Sequence, residues 1–317
     1  MGVKTNTANN ISKADLQPIF ARHETFHPRF GWLKKGFDKA IENPDVFLSE
    51  AAPTILGVGK NMVRAIKYWC IAFKVLEELK EQSQVRRVAP TVFGLNLLDN
   101  GGWDPYLEDP ASLWLLHWHL LKPPCYATAW HYFFNVFNKN TFVADEVRAG
   151  LVDFKNNSFI NNHTLEASLM KDVTCILRMF CDHHNNKVID EDSIDSPFTE
   201  LGLIHNYGDS RRFIFNTGSK RNLPSSIIVA ACLDYVDAIQ ESSKTISLSR
   251  LAYEDGSPGL CFRLSESALA DAIESIAMQY DVISLSDTAG SIQMSFEDEP
   301  KVISEKLLED YYRRGKN

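Results

Sequence analysis

The chain has 317 residues, of which 44% are hydrophobic and 23% charged, and its formal net charge is −8. This composition is typical of a globular protein that buries a large core, and the length predicts two or more compact units. The negative net charge argues against a protein that coats nucleic acid over its whole surface.

The charge is unevenly distributed along the chain. Residues 1–100 contain 14 Lys and Arg against 10 Asp and Glu, a net charge of +4. The remaining residues contain 19 against 31, a net charge of −12. Because binding to phosphates depends on local charge, a basic N-terminal unit can bind DNA while an acidic body binds a protein.

The first predicted elements are helices. The periodicity over 28–42 predicts an amphipathic helix with Phe30, Leu33, Phe37 and Ile41 facing inward, which ends before a proline. A helix pair then follows at 50–57 and 59–74, joined by a glycine-containing turn.

The second helix of this pair carries two different faces. Met62, Ile66, Trp69 and Phe73 form one apolar stripe, whereas Lys60, Arg64 and Lys67 share another face. An apolar stripe and a basic face after a tight turn are typical of the recognition helix of a helix-turn-helix. We therefore expect four side chains to face the DNA major groove: Lys60, Asn61, Arg64 and Lys67.

The residues downstream extend this pattern. We predict an acidic helix end at 77–81, a wing that includes 85–89, and a short closing helix at 91–98 capped by Thr91. Arg86 and Arg87 of this wing are expected to contact phosphate. Residues 15–100 thus predict an N-terminal winged-helix-like domain. The alternative is an ordinary helical hairpin with solvated charges.

The middle of the chain is rich in tryptophan. Four of the six tryptophans lie within 103–137, where Pro123-Pro124 separates two predicted helices. The apolar run 113–121 is too short to span a bilayer and predicts a buried helix. We assign 101–162 to a helical connector. The six scattered cysteines and the polar first ten residues predict a cytoplasmic protein with reduced thiols.

The C-terminal half, 163–317, predicts a helical domain that repeats winged-helix-like elements in weaker form. Helices are expected at 164–181, from Ser265 to about Gln279, and at 301–314, with a hairpin over 282–296. Four cations predict a second wing that contacts phosphate: Arg211, Arg212, Lys220 and Arg221. The alternative is a solvent-exposed hairpin.

No catalytic residue, cofactor or metal site is predicted. The Gly-Val-Gly-Lys run at 57–60 lacks the Ser or Thr that a P-loop places after its lysine. The pair His23 and His27 is expected to pack rather than to bind zinc, and a zinc site over 175–184 is disfavoured because Cys175 belongs to an apolar stripe.

The remaining enzymatic alternative is a metal-dependent nuclease, because two-metal chemistry requires clustered carboxylates. The acidic residues of 99–109 provide such a cluster, but Trp, Pro and Tyr interleave with them. Asp109 directly before a proline is typical of a helix cap. We therefore do not predict an enzyme.

Several motifs also resemble a bacterial domain family of unknown function that is often encoded beside DNA phosphorothioation or related sulfur-transfer genes. The resemblance spans nearly the whole chain and rests on these segments: 23–26, 30–36, 56–63, 102–110, 195–198 and 256–259. It implies a role in DNA modification or antiviral defence, with a reductase-like sulfur-transfer enzyme as a partner. It implies no activity and no catalytic residues.

These observations predict a mostly α, α+β protein with winged-helix-like units and small β-hairpin wings around a Trp-rich helical middle. The expected function is that of a DNA-binding accessory or regulatory protein that contacts double-stranded DNA through its helix-turn-helix. The alternative is a protein–protein scaffold that docks on the sulfur-transfer machinery through its acidic half without touching DNA.

Overall fold

A computed structural model describes residues 16–79, 86–181, 196–208, 211–288 and 290–315. Within these ranges, the N-terminal part contains four α-helices, a 3-10 helix at Val46–Leu48 and one antiparallel strand pair. In chain order, the α-helices and strands are α1 (Trp32–Glu42), α2 (Ala52–Leu56), α3 (Lys60–Ala72), β1 (Leu76–Glu78), β2 (Val88–Pro90) and α4 (Val92–Leu98). The predicted cap is confirmed, because the Thr91 hydroxyl accepts a hydrogen bond from the Gly94 amide. The predicted acidic helix end is wrong: residues 76–78 are extended and pair with β2.

Helix α1 differs from its predicted pattern at both ends. Leu33 and Phe37 are buried as expected, but Phe30 and Ile41 are exposed. Phe30 precedes the helix, which begins only after Gly31, so it does not follow the helical periodicity. The buried side of α1 is completed instead by Trp32 and Ala40.

The middle of the chain forms the tryptophan-rich core. It contains α5 (Pro110–Leu121) and α6 (Thr128–His131), and α6 continues into a π-helical turn at Tyr132–Val136. Every residue of α5 after Pro110 is buried, as expected for a helix that is apolar on all sides. The cis Pro123-Pro124 bond lies between α5 and α6.

Two segments of the C-terminal part share one chain order, in which a strand is followed by helices and then by two more strands. The first comprises β3 (Thr141–Val143), α7 (Ala144–Ser158), α8 (Glu166–Phe180), β4 (Ile204–Asn206) and β5 (Arg212–Phe215). The second comprises β6 (Thr245–Ser247), α10 (Leu248–Tyr253), α11 (Pro258–Phe262), α12 (Glu266–Ala277), β7 (Ile283–Thr288) and β8 (Ser291–Phe296). Helix α9 (Ser225–Ala238) lies between them, and α13 (Pro300–Arg314) follows.

The two sheets also share one topology. Their strand orders are β3-β5-β4 and β6-β8-β7, so in each the last strand lies in the centre, and all pairs are antiparallel. Strands β3 and β5 pair with each other although they lie on opposite sides of the domain boundary that the sequence predicts between residues 162 and 163. A single buried cluster also extends from Phe20 to Tyr312 and joins the N-terminal helices to the C-terminal half.

The structure therefore confirms a mixed α and β protein with small antiparallel sheets. Among the described helices, none combines the length and the apolar character that crossing a membrane requires.

Candidate nucleic-acid interface

The turn between α2 and α3 fixes the orientation of α3. Gly57 has a left-handed backbone (φ +62°), which a residue with a side chain rarely adopts, and its amide contacts the last carbonyls of α2. The Val58 amide donates to the Pro53 carbonyl, and Gly59 is extended, so α3 begins at Lys60.

The two faces of α3 are separated as the sequence predicts. Ile66, Trp69 and Phe73 are fully buried, and Met62 packs against the same core at the start of the stripe. The Trp69 indole donates to the Phe26 carbonyl at 3.0 Å, which ties the buried face to the segment before α1. The opposite face is therefore held towards solvent by the burial of this stripe.

The exposed face brings together the four residues predicted for α3. Lys60, Asn61 and Arg64 are exposed, whereas the Lys67 side chain is only 20% exposed. Lys60 occupies the first turn of α3, where no acidic residue lies, although the helix dipole disfavours a cation at this end. Within the described ranges, no carboxylate forms an ion pair with Lys60, so its charge is available to an anionic ligand.

Acidic side chains neutralise the other cations of this face. Arg64 Nη1 lies 3.5 Å from Glu24 Oε1. Glu78 contacts both Lys67 Nζ (3.0 Å) and Arg86 Nη1 (2.9 Å). Burial raises the pKa of the Glu78 carboxyl, but hydrogen bonds from Arg86 and Lys67 outweigh burial and lower the pKa overall. Glu78 is therefore ionised at neutral pH and competes with any phosphate for these two cations.

The predicted wing residues lie beside this face. The Lys67 ammonium donates to the Arg86 carbonyl at 3.3 Å, which brings the β1–β2 connection next to α3. Arg87 forms an ion pair with Asp45 at 2.9 Å. Residues 80–85, which include the first residue of the predicted wing at 85–89, lie outside the described residues.

The four cations predicted in the C-terminal half lie in another part of the molecule. Arg211 and Arg212 are exposed at the start of β5, and Arg221 is exposed beyond the strand. Lys220 instead points inward and donates to the carbonyls of Gly218 and Arg263. Burial, and secondarily the Arg263 charge, lowers the pKa of Lys220 to about 8. The structure thus separates these residues from the α3 group.

A strained loop before α1 positions Glu24. Ala21, Glu24 and Thr25 all have positive φ, which is unusual for residues with a β-carbon. The loop is anchored to α8, because the buried Asp172 carboxylate accepts hydrogen bonds from the Ala21 amide (3.0 Å) and pairs with His23 Nε2 (2.9 Å). His23 therefore has the packing and hydrogen-bonding role that the sequence predicts.

Sequence analysis missed Asp172, Glu24 and Glu78. A signal for Asp172 was present, because this acidic residue lies among the apolar positions Leu169, Val173 and Ile176 of α8. A buried charge at such a position requires a partner.

The helices that precede the other two hairpins carry different surfaces. On α8 the exposed residues are Glu166, Ala167 and Lys171. On α12 they are Ser267, Asp271, Glu274 and Ser275. Of these three helices, α3 is therefore the one whose exposed face suits a polyanion.

The acidic segment 99–109 has a structural role. Asp104 is buried, and its carboxylate accepts hydrogen bonds from the Glu108 and Asp109 amides and from the Ser112 hydroxyl. Asp109 caps α5, as predicted. Across the described ranges no group of three or more His, Cys, Asp or Glu side chains is arranged to hold a metal ion. The histidines of the disfavoured 175–184 zinc site lie outside these ranges.

The fold and this face define an α+β protein with a basic exposed face on α3 and repeated strand–helix–hairpin segments. The chain belongs to a family of proteins of unknown function, DUF4007, whose model matches residues 20–312. This membership confirms the family of unknown function that the sequence motifs indicate.

Two solved structures resemble the chain over most of its length. One is a crystal structure of magnesium-ion-bound SspB, with a TM-score of 0.88, 36% identity, and coverage of 95% of this chain and 90% of that one. The other is a crystal structure of SspB, with a TM-score of 0.88, 37% identity, and coverage of 95% and 91%. No match was found among curated proteins.

Proposed function

We propose that the protein binds double-stranded DNA through a winged-helix unit formed by α1 to α4 with the β1–β2 hairpin. The order of three helices followed by a hairpin is that of a winged helix, with α2 and α3 as the helix-turn-helix. In this arrangement, Lys60, Asn61 and Arg64 face the major groove. One observation carries the proposal: these three side chains are all exposed on the face of α3 opposite its buried stripe.

Charge supports assigning DNA binding to this unit. Residues 1–100 have a net charge of +4, whereas the rest of the chain has a net charge of −12. The acidic residues exposed on α12 would repel phosphate. We propose that the two C-terminal strand–helix–hairpin segments are further winged-helix-like units that do not contact DNA through these helices.

The proposed setting is a DNA-modification defence system of the phosphorothioation type, in the cytoplasm. The resemblance to a family encoded beside such genes supports this setting. The protein would act there as an accessory or regulatory factor, and its acidic half would bind a reductase-like sulfur-transfer enzyme.

The test is binding of the full chain to labelled duplexes, unmodified and phosphorothioated, over a series of salt concentrations. We expect Lys60→Ala to reduce the salt slope by about one unit, because one phosphate contact is lost. Arg64→Ala should cost about 1–3 kcal/mol if it contacts a base. Lys171→Ala is the matched control, since Lys171 is an exposed lysine on α8.

The proposal fails if the folded protein does not bind duplex DNA at low salt, or if Lys171→Ala weakens binding as much as Lys60→Ala. The first result would favour the scaffold alternative, which the acidic exposed face of α12 also supports. A pull-down with the full chain as bait would then identify the partner.

A second candidate follows from the magnesium ion in the similar SspB structure. If this chain also binds magnesium, the ion could assist the cleavage of a phosphodiester bond. Supercoiled plasmid incubated with the protein and Mg²⁺ tests this candidate. Nicking that requires Mg²⁺ and increases with protein concentration supports an enzyme, whereas intact plasmid together with duplex binding supports the accessory role.

A further inference from the structure

A groove runs along the exposed side of α1. Its volume is about 320 Å³, and the side chains that line it include Lys34, Lys35, Lys39 and Tyr106. Leu33, Phe37 and Ala40 occupy the opposite, buried side of the same helix. The packing of α1 on the core therefore keeps this side of the helix at the surface, where Lys35 is exposed and the side chains of Lys39 and Lys34 are 33% and 12% exposed.

The groove combines cations with an aromatic ring. Tyr106 is 71% exposed, and Lys34 Nζ lies 5.8 Å from the centroid of its ring. Phe30, 60% exposed, directly precedes the Gly31 that lines one end of the groove. Exposed aromatic rings beside lysines are the elements with which proteins hold single-stranded nucleic acid, by stacking bases and neutralising phosphates.

Two carboxylates also line the groove. Asp38 contacts Lys34 Nζ at 2.7 Å, and Glu42 contacts Lys39 Nζ at 2.6 Å. The Lys39–Glu42 pair is more exposed, with side chains 33% and 60% exposed, and such a pair contributes little net free energy, so a phosphate can displace Glu42. The Lys34 side chain is only 12% exposed and its ammonium also donates to Asn100 Oδ1, so Lys34 stays with its protein partners. The exposed Lys35 donates to a backbone carbonyl rather than to a carboxylate.

The groove lies next to the end of α2, which leads through a short turn into the proposed DNA-binding helix α3. Lys35 Nζ donates to the Leu56 carbonyl at 3.1 Å, at the end of α2. Leu56 precedes Lys60 by four residues, which span at most about 14 Å. This distance corresponds to about four nucleotides of a B-form strand. One DNA strand can therefore reach from the start of α3 into the groove.

We propose that this groove binds an unpaired nucleotide of a DNA strand whose duplex portion lies on α3. Tyr106 stacks on the base, and Lys35 and Lys39 contact the phosphates on either side. This assignment rests on the proposed function and specifies the form of its DNA: a duplex that continues into a single-stranded segment. A fully paired duplex cannot use the groove, because its bases are stacked inside the helix.

The experiment compares three labelled ligands: a blunt duplex, the same duplex with a single-stranded overhang of about six nucleotides, and the single strand alone. We expect the overhang to strengthen binding to the wild-type chain. Tyr106→Ala should weaken binding of the overhang duplex about fivefold to 150-fold, the range found for the loss of one stacked base. Blunt-duplex binding should not change.

Two controls separate stacking from folding. Tyr106→Phe keeps the ring and should keep the overhang effect, whereas Tyr253→Ala removes an exposed tyrosine of α10 and should have no effect. Circular dichroism and the melting temperature report whether each variant folds.

The outcomes distinguish the groove from the α3 interface. Equal affinity of the wild-type chain for blunt and overhang duplexes overturns the groove proposal, as does a Tyr106→Ala variant that loses affinity for both. Single-strand binding that depends on Tyr106, without any blunt-duplex binding, supports the groove and contradicts the α3 interface.

Discussion

At the residue scale, two acidic side chains form ion pairs with cations on and beside the basic face of α3. Glu24 contacts Arg64, and Glu78 contacts both Lys67 and Arg86. In the proposed complex, a DNA phosphate has to compete with these carboxylates for the same cations. The affinity of this face therefore depends on acids as much as on the lysines and arginines that the sequence pattern reveals.

Replacement of Glu78 by glutamine tests this competition. The Glu78→Gln variant keeps the shape of the side chain but removes a charge close to two cations. We expect duplex affinity to increase about twofold to fivefold at low salt, in line with about 1 kcal/mol for one charge pair in water. Fluorescence anisotropy with a labelled duplex measures this change.

The matched control is Glu305→Gln, which makes the same change in net charge at an exposed position on α13. An equal increase in both variants would show that only the total charge matters and would contradict the competition at α3.

At the element scale, the position of α3 depends on its close packing against α1. A β-carbon at Gly36 of α1 would lie 2.6 Å from Cys70 Sγ and 2.7 Å from Ile66 Cγ2, both on α3. The lack of a side chain at this position thus allows the two helices to approach. Because α1 also carries the groove, this contact sets the distance between the two proposed DNA-binding surfaces.

We expect Gly36→Val to destabilise the fold by about 1–3 kcal/mol, because overpacking forces the helices apart. Duplex binding should weaken as well, since α3 shifts relative to the hairpin. Urea denaturation followed by circular dichroism measures the free energy of unfolding. Gly101→Val is the control, since a β-carbon there meets no neighbour within 4 Å and the change should stay within about 0.5 kcal/mol. Equal loss in both variants would contradict the packing argument.

At the scale of the whole molecule, the same strand–helix–hairpin order occurs twice in the C-terminal half, with identical sheet topology. The helix before the N-terminal hairpin differs in charge from the helix before the last hairpin, because α3 exposes Lys60 and Arg64 whereas α12 exposes Asp271 and Glu274. The helix before a hairpin thus presents different charges in different parts of the molecule, which agrees with our proposal of one DNA-binding surface and one protein-binding surface.

Hydrogen exchange in the presence of duplex DNA maps this division. We expect slower amide exchange over residues 58–67 and unchanged exchange over residues 266–277, because the basic face attracts phosphate and the acidic face repels it. Free protein at the same salt concentration is the reference. Slower exchange confined to residues 266–277 would contradict our proposal, because the DNA would then bind at α12 and not at α3.

Local features of the sequence determined much of the secondary structure. The apolar stripe of α3, the Thr91 and Ser265 caps and the hairpin over 282–296 depend on neighbouring residues, so their spacing is visible in the chain. The apolar run at 113–121 likewise indicated a helix buried on all sides.

Contacts between distant residues were decided by the tertiary structure alone. The pairing of β3 with β5, the anchoring of His23 by Asp172, and the inward orientation of Lys220 each join segments far apart in the chain. Such contacts leave no periodic signal, because only the packed core brings the partners together. The sequence thus determined which cations share a face of α3, and the fold decided which of them are already paired with a carboxylate.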